Sequence, residues 1–281
     1  MCKTVAATLL AILAGWGGAW AQTGTPGAYL GELTWPEAEA RLREAPLVVL
    51  PFGAGAKEHG PHLPMNADQR VMEYLCRQAV DSLPVLVAPP ILHGWFPAFR
   101  DYPGTEVSDP DVFASYVFEV ARSLVEHGAQ RIVFLNTGIR LATGLPIAIA
   151  AREIRVRTGT PALVVSWDDL ETSEIDALQE QLVGGHADEI ETSINLFLQP
   201  ELVSDDLPPA DYGEGRARDY AGYQPGLFSR DPSDPAHSET GYLGDPSLAS
   251  AAKGEAALAI MTRRWLAALR GFSTAPRRVD R

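Results

Sequence analysis

The sequence predicts an α/β fold in which helices cover both faces of a mostly parallel sheet, a three-layer α/β/α arrangement. Three observations lead to this fold class. Of the 281 residues, 46% are hydrophobic, which is enough for the full core of one domain. Short apolar runs of strand length alternate with longer segments of helical periodicity, and polar residues follow where several of the runs end. We therefore expect residues 22–281 to form a single domain.

The elements follow from this alternation in chain order. Strands are predicted at residues 47–51, 85–88, 131–135 and 162–166, and helices at residues 68–83, 111–127, 144–157, 188–198 and 247–269. In a parallel sheet the carboxyl ends of the strands open on one crevice. Residues 53–68, residues 136–140 and Trp167 follow such ends, so we expect them to meet there.

Residues 205–245 have a different texture, rich in Pro, Asp, Gly and Tyr and without clear periodicity. A segment of this length without regular structure is usually functional, which predicts an ordered loop over the site or at a subunit interface. A solvated excursion with scattered aromatic residues is the alternative. Candidate contacts in this segment are Tyr212, Tyr220, Tyr223, Phe228 and His237.

The N-terminus has the pattern of a secretory signal peptide over residues 1–21. Lys3 precedes an apolar stretch at residues 5–14, and Ala19-Trp20-Ala21 is a small-x-small cleavage site. The prediction is a mature chain that begins near Gln22 and is periplasmic or secreted, with an uncleaved membrane anchor as the alternative. Cys76 is then the one remaining cysteine, which excludes an intramolecular disulfide, and its apolar neighbours indicate a core position.

The chain carries a net charge of −13. Nucleic-acid binding requires a basic face that attracts phosphates, so the sequence argues against a nucleic-acid partner. The acidic balance fits an exported protein with no membrane association once the signal peptide is removed, and it says little about the substrate.

Residues 57–68 read KEHGPHLPMNAD and come shortly after the first predicted strand. His59 and Asp68 supply a neutral nitrogen and a hard oxygen, a combination suited to zinc, manganese or iron. A constrained polar loop, held by Gly60, Pro61 and Pro64, is the structural alternative.

A second motif, GGHADEIETS at residues 184–193, leads into a predicted helix that ends before Pro200. Histidine can serve as both acid and base, and a nearby carboxylate fixes its tautomer, so His186 and Glu191 form a candidate acid/base pair. Acids in the first turn of a helix also serve as caps and dipole partners, which is the alternative for these carboxylates.

Together the two motifs resemble those of the creatininase family of amidohydrolases. Residues 102–105 (YPGT), 134–136 (FLN) and 244–254 (GDPSLASAAKG) resemble further family segments in the same order. The resemblance implies a two-metal centre with five ligands, of which His59 and Asp68 are retained. Lys57, Gly138 and Arg140 stand at the other three ligand positions.

Two interpretations of these replacements remain open. Lys57 and Arg140 could supply as fixed cations the positive charge that metal ions supply elsewhere. Alternatively, a bulge over residues 51–56 could swing Glu58 toward His59 and Asp68, and the three would hold one ion with help from His62 or His186. The second interpretation predicts a single divalent metal (Zn, Mn or Fe) and is the one we favour from the sequence.

The resemblance implies that His186 carries a proton to the leaving nitrogen and that Glu191 orients or stabilises the substrate. The expected function is cleavage of a C–N bond in a small cyclic or linear amide, with Trp167 available to cover a planar ligand. The family also implies a homo-oligomer. The alternative is a small-anion binding protein, in which Lys57 and Arg140 recognise a carboxylate or phosphate.

Overall fold

The computed structural model describes residues 26–45, 47–138, 143–214 and 229–276. A five-stranded sheet lies at its centre, in the order β1-β3-β2-β4-β5, and every strand pair is parallel. The strands are β1 (Ala28–Tyr29), β2 (Leu47–Phe52), β3 (Val85–Val87), β4 (Ile132–Asn136) and β5 (Ala162–Ser166). The four predicted strands are confirmed, and the short edge strand β1 is an addition to them.

The helices are α1 (Trp35–Glu44), α2 (Ala67–Ser82), α3 (Pro110–Glu126), α4 (Gly144–Thr158), α5 (Trp167–Leu170), α6 (Ser173–Asp176), α7 (Glu189–Leu198) and α8 (Ala251–Thr274). The five predicted helices are confirmed. The last begins later than predicted, because a 3-10 turn at Pro246–Leu248 comes first and Ser250 then caps α8 by accepting from Lys253 N–H.

The residues of β2 alternate between two apolar layers. Leu47 and Val49 pack with α2, α7 and α8, whereas Val48 and Leu50 pack with α1, α3 and α4. Because both faces of the strand are covered, all of its residues are buried. The predicted three-layer α/β/α fold is confirmed.

Helices α7 and α8 make an unusually close contact. A Cβ atom added to Gly254 of α8 would lie 2.0 Å from the carbonyl oxygen of Ser193 in α7. Glycine is therefore the residue that lets the two backbones meet. This contact helps to fix the position of α7, whose first turn carries Glu191.

Cys76 lies in the apolar core, where burial raises the pKa of its thiol. Its predicted core position is confirmed. No helix within the described ranges is both long and apolar enough to cross a membrane. The predicted signal peptide, residues 1–21, lies outside the described residues.

Candidate active site

A cavity of about 450 Å³ opens where the ends of the central strands meet. Its wall includes Lys57, which follows β2, Thr137 and Gly138, which follow β4, and Trp167, which follows β5. Asp68, in the first turn of α2, also lines it. The structure thus brings these segments together at the carboxyl ends of the strands, as predicted.

Lys57 is buried and faces this cavity. Its side chain is 1% exposed, and Nζ lies 2.8 Å from Oδ2 of Asp68. The contact is a buried ion pair. Burial raises the pKa of the Asp68 carboxyl, but the positive charge of Lys57 and the neighbouring His59 outweigh it, so that the pKa lies well below its usual range.

His59 engages the other oxygen of the same carboxylate. Its Nε2 lies 3.0 Å from Oδ1 of Asp68, and its Nδ1 lies 2.9 Å from the carbonyl oxygen of Lys57. A carbonyl oxygen only accepts, so Nδ1 carries a hydrogen. Lys57 and His59 therefore hold the two oxygens of Asp68 from two sides.

The carboxylate of Glu58 contacts His186 and not Asp68, the position expected of a metal ligand. One carboxylate oxygen accepts from Gly60 N–H, and the other lies 3.1 Å from Nε2 of His186. Gly241 approaches the same carboxylate so closely that a Cβ there would lie 2.2 Å from Oε1. The structure thus places Glu58 against His186, and the predicted cluster of Glu58, His59 and Asp68 is not formed.

His186 is held in one orientation by several contacts. Its Nε2 lies 3.0 Å from the carbonyl oxygen of Glu58, so this nitrogen carries a hydrogen. The ring packs on Phe99 at a centroid distance of 4.3 Å. Its Nδ1 faces Glu191, with 3.7 Å between Nδ1 and Oε2. His186 and Glu191, the predicted acid/base pair, therefore lie side by side, and their catalytic role stays a prediction.

Glu191 lies in the first turn of α7 and lines the cavity. Burial is the largest influence on its carboxyl and raises the pKa to about 7, although the charges of His186 and Lys57 act in the opposite direction. Ala187 N–H donates to Oε2 at 2.5 Å, from a backbone with φ of 47°. A carboxyl with such a pKa gains and loses a proton near neutral pH.

Asp188 has the capping role that was the structural alternative for the acids of this helix. As the N-cap of α7, its side chain accepts from the N–H groups of Ile190 and Glu191. The same residue also lines the cavity.

Acidic residues form a further part of the cavity wall, which the sequence interpretation did not include. They are Asp168, Glu171, Asp176 and Asp188. The pKa of Glu171 is raised to about 7, mainly by burial and to a smaller extent by the charges of Asp188, Asp176 and Asp168. The sequence could have indicated this part of the wall, because Asp168, Glu171 and Asp176 lie in the segment that directly follows the strand at residues 162–166.

Three other predicted site residues have different outcomes. Trp167 lines the cavity as predicted. His62 is buried, with Nε2 2.9 Å from Oγ1 of Thr192 and its ring edge on Tyr242, and burial lowers its pKa to about 4. Arg140 lies outside the described residues. The roles of His62 and Arg140 toward a substrate stay predictions.

The segment at residues 205–245 reaches the site where it is described. Leu243 and His186 exchange two backbone hydrogen bonds, at 2.9 and 3.3 Å. Tyr212 Oη accepts from Leu182 N–H at 3.5 Å, and His237 N–H donates to the carbonyl oxygen of Asp234. Tyr220, Tyr223 and Phe228 lie outside the described residues.

The sequence matches the family model described as creatinine amidohydrolase over residues 31–269. The chain belongs to the creatininase family. Among relatives, it is 28% identical over 255 residues to creatinine amidohydrolase of Pseudomonas putida, an alignment that covers 83% of this chain and 92% of the relative. It is 29% identical over 223 residues to the mycofactocin precursor peptide peptidase of Mycolicibacterium smegmatis, which covers 77% and 81% of the two chains. The 3-dehydro-scyllo-inosose hydrolase of Thermotoga maritima is 28% identical over 187 residues, covering 63% of this chain and 58% of that relative.

Solved creatininase structures share the fold. One named "Creatininase Mn" superposes with a TM-score of 0.70 at 27% identity and covers 89% of this chain and 100% of its own. Another is named as a Zn-Zn type of a creatininase mutant and has the same TM-score and identity. These two neighbours of the creatininase-family chain are metal-containing by name.

The donor groups of the described residues do not fit a metal centre of that kind. A protonated lysine donates hydrogen bonds and cannot ligate, and the ammonium of Lys57 lies on Asp68. Within the described ranges, no three His, Cys, Asp or Glu side chains are arranged to hold a metal ion. The single divalent metal (Zn, Mn or Fe) predicted from the sequence therefore has no formed site in this part of the chain.

Proposed function

We propose that this creatininase-family protein hydrolyses a carbon–nitrogen bond in a small cyclic or linear amide. The observation that carries the proposal is the pair formed by Glu191 and His186 on the cavity wall, in a family of amidohydrolases. Glu191 has a pKa of about 7, and His186 is oriented by Glu58. Groups that exchange protons near neutral pH are the ones that general acid–base catalysis requires.

In the proposed reaction, Glu191 as a carboxylate accepts a proton from a water molecule while the water oxygen bonds to the amide carbon. The C–N bond then breaks as the same proton passes from Glu191, directly or through Nδ1 of His186, to the leaving nitrogen. The products are a carboxylic acid and an amine, joined in one molecule if the substrate is a lactam. The hydrogen on Nε2 of His186 is directed to Glu58, which leaves Nδ1 on the side of Glu191.

The cavity supports a small and polar substrate. Its volume of about 450 Å³ lies within the usual range for small-molecule sites. Carboxyl groups of Asp168, Glu171, Asp176 and Asp188 line one part of it, and they favour a neutral or positively charged substrate over an anion. Trp167 supplies an aromatic surface for a planar amide.

The alternative function, small-anion binding, draws support from Lys57, whose ammonium faces the cavity. That charge is already paired with Asp68, and the surrounding acids oppose an anion. Calorimetric titration with acetate and with inorganic phosphate distinguishes the two functions. Saturable binding of either anion without hydrolysis of any amide would favour the binding protein.

The hydrolase proposal is tested with a panel of lactams, formamides and short peptides, in which release of amine is measured. We expect Glu191→Gln to lower kcat/KM by about 100- to 10,000-fold, the usual contribution of a general acid or base. Glu119→Gln is the matched control, because Glu119 is exposed on α3 and pairs with Arg122. Equal activity of the Glu191→Gln variant and the parent would exclude Glu191 from the reaction.

We further propose that the protein acts as an exported homo-oligomer without a nucleic-acid partner. The support for export is the signal-peptide pattern of residues 1–21. N-terminal sequencing of protein from the extracytoplasmic fraction should begin near Gln22, and light scattering on the purified protein gives the oligomer size. Protein with an uncleaved N-terminus in the membrane fraction would contradict export with signal cleavage. A monomer in solution would contradict the homo-oligomer.

A further inference from the structure

The ammonium of Lys57 is the buried cation next to the proposed reaction site. Its side chain is 1% exposed. Its Nζ lies 2.8 Å from Oδ2 of Asp68 and 5.3 Å from the ring centroid of Phe99. A buried charge is tolerated when an opposite charge compensates it. Lys57 and Asp68 satisfy this condition for each other, so the pair is a fixed part of the folded protein.

We propose that the Lys57 ammonium takes the place of a divalent metal ion in this site, so that the protein works without one. The proposal rests on the proposed function, whose substrate would present its carbonyl oxygen to this charge. A fixed positive charge near a carbonyl oxygen stabilises the negative charge that develops there when water adds to the carbon.

The surroundings of Asp68 support this assignment. His59 reaches Oδ1 and Lys57 reaches Oδ2, so both carboxylate oxygens already face nitrogen groups. Position 138 also faces this carboxylate, since a Cβ there would lie 3.5 Å from Oδ2. Glycine at 138 supplies no ligand, and it leaves space on the cavity side of the ion pair.

The charge balance leads to the same conclusion. A divalent ion next to Asp68 would lie within a few ångströms of the ammonium, and like charges at such distances repel strongly in a buried site. Loading a metal would require Lys57 to leave Asp68 or to lose its proton. The arrangement therefore selects against the ion that the neighbouring structures carry by name.

The experiment compares the parent chain with Lys57→Glu. The substitution removes the ammonium and adds a carboxylate near His59 and Asp68, and three such donors are what catalytic zinc sites use. Each protein is incubated with zinc or manganese, desalted, and measured by elemental mass spectrometry. We expect well under about 0.1 equivalent of metal in the parent and about one equivalent in Lys57→Glu.

Two outcomes would overturn the proposal. One is about an equivalent of metal in the parent that is lost in Asp68→Asn, and the other is a folded Lys57→Glu that takes up no metal. The parent measurement stands even if Lys57→Glu does not fold. A third variant, Lys57→Gln, removes the charge without adding a ligand, and we expect it to lower kcat more than it changes KM.

The metal measurement is independent of the proposed hydrolysis. If no amide is cleaved, the proposed function fails while the metal content still decides the role of Lys57. If amides are cleaved and a chelator abolishes the activity of the parent, the hydrolase proposal stands and the metal-free proposal fails.

Discussion

Replacement of Glu191 by glutamine should stabilise the protein at alkaline pH while it removes activity. In the folded protein the pKa of Glu191 is raised from its ordinary 4.5 to about 7, chiefly by burial. The folded state therefore keeps a proton that the unfolded state has already released between these two values. By linkage, stability is lost as the pH rises from 4.5 to about 7, and the loss persists above it.

The size of the effect follows from the two pKa values. Each pKa unit corresponds to about 1.4 kcal/mol, so a rise from 4.5 to about 7 costs about 3 kcal/mol once Glu191 is ionised. The side chain is 20% exposed toward the cavity, and screening by water reduces this cost to about 1–3 kcal/mol. Glutamine does not ionise, and its amide oxygen can still accept from Ala187 N–H.

The assay is urea unfolding followed by circular dichroism at about pH 5 and about pH 8.5. We expect Glu191→Gln and the parent to have nearly equal free energies of unfolding at the lower pH. At the higher pH the variant should be more stable by about 1–3 kcal/mol. The exposed control Glu119→Gln should show no such pH-dependent gain. A Glu191→Gln variant that is less stable than the parent at the higher pH would refute the reasoning.

Other predictions concern stability and are checked by the same unfolding measurement. Lys57→Met should lower the free energy of unfolding by about 3–5 kcal/mol, because it removes the lysine charge that compensates the buried carboxylate of Asp68. A loss below about 1 kcal/mol would show that the ion pair contributes little to stability. His62 has its pKa lowered from 6.5 to about 4 by burial, so the folded state resists protonation and stability falls as the pH drops through this range. His62→Gln should remove part of that fall, and an unchanged acid limb would contradict the assignment. Gly254→Ala should destabilise the protein by more than about 3 kcal/mol, since the new methyl group meets the Ser193 backbone; retention of stability would mean that α7 and α8 separate easily.

Most of the sheet could be predicted from the sequence because its central strands are continuous apolar runs. The strand at residues 162–166 was predicted with the bounds of β5. Strand β1 has two residues and no pattern of its own, so it depends on pairing with β3. Helix α1 had a usable signal, since Thr34 and Glu37 form a capping box in front of it.

Which residues belong to the site could be predicted from the sequence better than the contacts that these residues make. The motifs identified His59, Asp68, His186 and Glu191, and the structure brings these residues to one region. The direction of Glu58 could not be predicted, because the alternation of side chains ends with β2 and the loop after it has no periodicity. Its carboxylate is positioned by contacts with His186 and Gly241, which are distant in sequence.

The close contact at Gly254 also determines when the site can form during synthesis. Glu191 lies on α7, and α7 rests against a helix that the ribosome makes some sixty residues later. A nascent chain that ends before Ala251 has the residues of the acid/base pair but lacks the surface against which their helix packs. Chains released early should therefore be inactive, so that the acid/base pair becomes organised only in molecules whose synthesis has passed α8.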